Sequence, residues 1–165
     1  MLQRLLLIVL LPLTLAACNR DNVDVQRNGD GTATISVTLQ EAEVNTMIGN
    51  VLSQMQNPLL RNPSVDLQNG QIVVNGERDR ADGGGRVSGS LTLSVSVVNG
   101  ALEIQATSAN IEGLAASDAQ IAEFNQNLAQ AMAGRAHQDH PRATLQSVTI
   151  SNNALVISIL VDTQR

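Results

Sequence analysis

Apolar and polar residues alternate strictly over 86–97, where Val87, Leu91, Leu93, Val95 and Val97 are separated by Ser88, Ser90, Thr92, Ser94 and Ser96. This period of two predicts a β-strand with one dry face and one wet face. Asn99-Gly100 follows, the pair best suited to a type I′ turn, in which both central residues need φ > 0. A two-residue loop there sets Val97 opposite Leu102, Val95 opposite Ile104 and Leu93 opposite Ala106, apolar on apolar, with Glu103, Gln105 and Thr107 on the wet face. Three further hairpins obey the same grammar. A loop at Gly29-Asp30-Gly31 places Val25 opposite Ile35 and Val23 opposite Val37. Asn69-Gly70 sets Leu67 against Ile72 and Val65 against Val74. Asn152-Asn153 sets Ile150 against Leu155 and Val148 against Ile157.

Between these hairpins the period lengthens twice. Val44, Met47, Ile48, Val51, Leu52 and Met55 recur at helical spacing, predicting an amphipathic helix over about 39–56 that stops before Asn57-Pro58. Thr38 with Glu41 offers it a capping box. Ile121, Phe124, Leu128, Ala131 and Met132 form a second stripe, with Ser117 and Gln120 as capping box and Gly134 as stop. The expected order is strand, strand, helix, four strands, helix, two strands. Sequential hairpins imply an α+β fold, a curved antiparallel β-sheet of hairpins with two amphipathic helices packed on its apolar face.

The first seventeen residues change the picture. Arg4 precedes the apolar run 5–11, an export leader too short to span a bilayer, which takes about 20 residues. The leader ends in Leu15-Ala16-Ala17-Cys18, which resembles the bacterial lipobox. That resemblance implies cleavage before Cys18 and acylation of it, and two or more acyl chains hold a protein stably on a membrane. Residues 18–22 then form the lipidated cysteine and a short tether, and 23–165 a single domain of a size that can bury a real core. The location expected is the cell envelope, lipid-anchored and extracytoplasmic, at the outer membrane facing the periplasm in a diderm cell. Asn19, rather than Asp, follows the cysteine.

Composition narrows the chemistry. Aromatic residues make up 1 % of the chain, Phe124 being the single one, so base-stacking platforms are missing. All 10 basic residues are arginine, and the formal charge is −5. A chain with no lysine forms no Schiff base, and an acidic one is a poor ligand for nucleic acid. Cys18 is the only cysteine, so a lipidated chain keeps no thiol for disulfides, metal or nucleophilic attack. His137, Asp139 and His140 crowd one loop ending at Pro141, and solvation explains them better than a zinc site. Glu41 and Glu43 fall in a first helical turn, where the macrodipole favours carboxylates without catalysis. The glycines at 83–85 open no helix after a strand, so a phosphate cradle is not indicated. No nucleophile–base constellation emerges, and the chain reads as a non-enzyme without cofactor or metal.

The helix entry 38–45, the hairpins 65–76 and 97–104 and the second helix from Ser117 together resemble single-module bacterial relatives of the tubular lipid-binding (TULIP) superfamily. The likeness covers roughly 35–161. It implies a strongly curved antiparallel sheet wrapped around a long helix, with lipid between them. On that reading Val44, Met47, Ile48, Val51, Leu52, Met55, Val87, Leu91, Leu93, Val95, Ile121, Phe124, Leu128 and Met132 line the ligand. The expected function is binding or shuttling of lipid or another apolar ligand. The alternative is a structural or adaptor lipoprotein with a filled core, binding another envelope protein through 78–86 or 135–142.

Overall fold

The protein, seen in a computed structural model that describes residues 22–80, 82–137 and 143–163, has an α+β fold of eight antiparallel strands and two helices. The strands are β1 (Val23–Arg27), β2 (Thr32–Gln40), β3 (Arg61–Gln68), β4 (Gln71–Asp79), β5 (Arg86–Val98), β6 (Ala101–Asn110), β7 (Thr144–Ile150) and β8 (Ala154–Asp162). Helix α1 (Glu41–Gln54) follows β2, and α2 (Ala119–His137) follows β6. The order along the chain is the one the periodicity predicts.

The hairpins are divided between two four-stranded sheets rather than forming one. The first has the order β1-β2-β8-β7 and the second β3-β4-β5-β6. All predicted cross-strand pairs are present, including Val95↔Ile104, Leu67↔Ile72, Val25↔Ile35 and Ile150↔Leu155. Asn99 (φ 52°) and Gly100 (φ 77°) both adopt the left-handed conformation that a type I′ turn requires. The sheets meet where the Gly70 N–H donates to the Ile150 carbonyl at 3.0 Å. The division follows from chain order, because β2 pairs with the distant β8 along nine residues. Helix α1 lies against β3 at one edge of the second sheet and also touches β2, β8 and α2. Helix α2 runs along β6 at the opposite edge.

Both helices begin later than their predicted capping boxes. Thr38 stays in β2, paired with Val156, so the cap moves to Gln40, whose N–H donates to Glu43 Oε2 at 3.0 Å. At α2 the cap is Asp118 rather than Ser117. Its Oδ1 accepts the Gln120 N–H at 3.0 Å, and its carbonyl accepts the Ile121 and Ala122 N–H groups. Helix α1 ends at Gln54, leaving Met55 extended (φ −73°, ψ 138°) yet buried. Gly134 does not stop α2, which continues to His137. A glycine ends a helix when it turns left-handed, and Gly134 keeps a negative φ.

One hydrophobic core links the helices to both sheets, and it contains a segment the periodicity leaves as a plain connection. Leu59 and Leu60 are 0 % and 1 % exposed. The seat for Leu60 is a cross-strand glycine pair, Gly76↔Gly89. A Cβ on Gly76 would meet the Arg61 carbonyl at 2.8 Å and Leu60 Cβ at 3.0 Å, and one on Gly89 would meet Leu60 Cδ2 at 3.0 Å. Side chains are missing there so that the connection can cross the sheet closely.

The two edges of the second sheet are treated differently. On β3, Val65 and Leu67 turn their N–H groups away from β4. Asn45 Oδ1 and Glu41 Oε2 accept them, each at 3.0 Å. Asn45 and Glu41 lie four residues apart on one face of α1. The helix thus supplies side-chain acceptors where a further strand would supply carbonyls, and the edge is covered.

Candidate functional site

Thirteen of the fourteen predicted lining residues come together, but mainly as mutual packing partners. Val44, Ile48, Leu91, Leu93, Ile121, Phe124, Leu128 and Met132 are all 0 % exposed and belong to one core. Leu52, Val51 and Met55 are buried with them, and Met47 and Val95 are half-buried against that core. Val87 is half-buried at the start of β5, outside that core. Leu145, Leu155, Ile157 and Ile159 fill the same interior from β7 and β8.

Among the described residues, ligand-sized spaces lie at the surface, beside the helices. The most apolar is a groove of about 590 Å³ between α2, the start of β6 and β7. Its helical wall carries Ala122, Asn125, Gln126, Ala129, Gln130 and Ala133; the opposite wall is the run 100–104, and Leu145 closes one end. Helical geometry of about 100° per residue puts these α2 positions on one face, beside the Phe124–Leu128–Met132 stripe. Small side chains there hold the helix backbone close while leaving the trough open. A second cleft, about 830 Å³, separates α1 from α2 and is bordered by Met47, Asn50, Val51 and Gln54 against Asn127, Gln130, Ala131 and Arg135. It is the more polar of the two.

Two features of the groove bear on what it can hold. Asn125 Oδ1 is buried without a hydrogen-bond partner, which costs about 1–3 kcal/mol for a polar group removed from water. Among the described residues, Glu103 is the only charged one lining it. Glu123 borders the same face of α2, one position beyond Ala122, and both glutamates are exposed.

The two ends of the charged segment 78–86 lie in strands and in ion pairs. Arg78 lies in β4, paired with Val87. Asp79 accepts from Arg61 Nε at 2.7 Å and Arg86 Nε at 3.2 Å, and Arg86 also reaches Glu77 at 3.3 Å. The Arg61 hydrogen bond, helped by the charge of Arg61 and by the hydrogen bond and charge of Arg86, outweighs the opposing effect of burial and lowers the Asp79 pKa below 3.8. At the first hairpin the Thr32 hydroxyl, donating at 2.7 Å, does the same for Asp30.

Cys18, Asp139 and His140 lie outside the described residues, as does the histidine's neighbour Pro141. His137 ends α2. Among the described residues no three His, Cys, Asp or Glu side chains gather as a metal site, and no helix is long and apolar enough to cross a membrane.

The periodicity did not point to the groove, because alanines and amides beside an apolar stripe read as the edge of a solvated face. The usable signal is the spacing of Ala122, Ala129 and Ala133, a strip of small residues flanking large ones. No family model, curated protein or solved structure matches the chain.

Proposed function

We propose that the chain is a membrane-anchored envelope lipoprotein, tethered through acyl chains on Cys18, whose folded domain is a structural or adaptor module that binds another envelope protein. The observation that carries this reading is the filled interior. Eleven of the fourteen residues best placed to wrap a ligand between the helices and the sheets are themselves buried against one another. Core side chains packed at crystal-like density leave no guest volume, so the domain works through its surface.

A second reading, lipid or another apolar ligand held between helix and sheet, is favoured by the α2–β6 groove. Its volume of about 590 Å³ falls within the range of about 300–1,000 Å³ usual for small-molecule sites. The two readings separate in one experiment. A photo-cross-linking residue is placed at Arg80 and, separately, at Ala129 in the full-length lipoprotein in its own cells. The adaptor reading predicts a discrete protein adduct that Cys18→Ser, by releasing the anchor, diminishes. Adducts to lipid alone would favour the second reading instead.

A further inference from the structure

We propose that the edge of β6 beside α2 takes an extended segment of the partner protein by strand addition, the segment lying in the groove between them. This rests on the adaptor reading and names the site and chemistry of the partner.

The argument starts from the two Asn-Gly turns. Each joins its strands by two residues, with Gln68↔Gln71 flanking one turn and Val98↔Ala101 the other. Residues flanking such a turn exchange hydrogen bonds with each other, and the next pair out turns its main-chain groups away. On β3 that rule is visible, because Leu67 and Val65 send their N–H groups outward to Glu41 and Asn45. On β6 the equivalent positions are Leu102 and Ile104, paired with Val97 and Val95. Their N–H and C=O groups face away from β5, and β6 is the last strand of its sheet. Among the described residues no side chain accepts from or donates to them, whereas α1 covers the corresponding groups on β3.

The wall these groups face is the groove. An acyl chain laid against it would dry two donors and two acceptors without replacing their water, at about 1–3 kcal/mol for each group left unpaired. A peptide strand pairs with them and presents alternate side chains to the alanines of α2. Charge specifies the rest: Glu103 and Glu123 border the two walls, and among the described residues no basic side chain lines the groove. The fitting segment is therefore extended, apolar at alternate positions, and carries Lys or Arg at the positions between.

The test uses the full-length lipoprotein and its cross-linked partner. Mass spectrometry of the Ala129 adduct should map to an alternating apolar and basic segment. Addition of that segment as a synthetic peptide should slow amide exchange at Leu102 and Ile104, leaving Ala101 and Glu103, already bonded within the hairpin, unchanged. Glu103→Arg, a surface change that spares the fold, should weaken binding several-fold. Adducts at Arg80 but none at Ala129, or peptide binding without protection at Leu102 and Ile104, would overturn strand addition while leaving the adaptor reading in place. Lipid adducts at Ala129 would overturn both.

Discussion

The Leu67 N–H donates to Glu41 Oε2 at 3.0 Å across a separation of 26 residues, so a helix carboxylate does the work of a neighbouring strand. Asn45 does the same for Val65 one turn further on. Glu41→Ala and Asn45→Ala should each cost about 1–2 kcal/mol in urea unfolding, the value of a hydrogen bond whose buried donor is left unpaired. Amide exchange should accelerate selectively at Leu67 in the first variant and at Val65 in the second. The double variant bares a strand edge and should self-associate.

The glycine pair makes an independent prediction. Gly76→Val and Gly89→Val place side chains where the Arg61 carbonyl and Leu60 already sit, and overpacking of this kind costs about 1–3 kcal/mol. Gly29→Ala meets nothing within 4 Å and should stay within about 0.5 kcal/mol of the parent. Chemical denaturation of the three variants side by side checks the contrast.

Phe124 is 0 % exposed at the centre of the α2 stripe. Truncation to Ala removes its contacts and leaves a cavity, a loss of about 3–5 kcal/mol, whereas Phe124→Leu retains much of the volume and should cost clearly less. Thermal melts followed by far-UV circular dichroism distinguish the two.

Acid sensitivity follows from Asp79. Its pKa is lowered in the folded state relative to 3.8, so the folded state favours the ionised form. The stabilisation is complete above 3.8 and disappears as the pH falls through the lower folded value. Stability measured from neutral pH down into that range should show a shallower acid limb for Asp79→Asn than for the parent. The groups are about half exposed, so raising the salt concentration should shrink the difference.

Much of the fold was legible because turn chemistry and alternation agree. Asn69-Gly70 and Asn99-Gly100 fix register wherever they stand, and a slip by one residue would turn every apolar side chain into water. The division into two sheets was not legible, since it depends on β2 meeting β8 more than a hundred residues away, a contact that local pattern does not encode. The caps slipped because Thr38 and Ser117 have good capping chemistry but are committed to other structure, Thr38 to its strand. The burial of Leu59-Leu60 was not legible, because a two-residue apolar step has no period and its seat is made by glycines in other strands. The candidate site suffered most. The apolar stripes name the residues that face inward, and whether inward-facing residues surround a void or each other depends on the separation of elements, which periodicity does not contain.

The claim that the interior is full, and that the domain works from its surface, is tested most directly by mass spectrometry under native conditions. The chain, expressed without its leader and with Cys18 replaced by Ser, is weighed intact and then after organic extraction. The account predicts the mass of the polypeptide alone, with no lipid released. A stoichiometric lipid, lost on extraction and restored by adding it back, would contradict it.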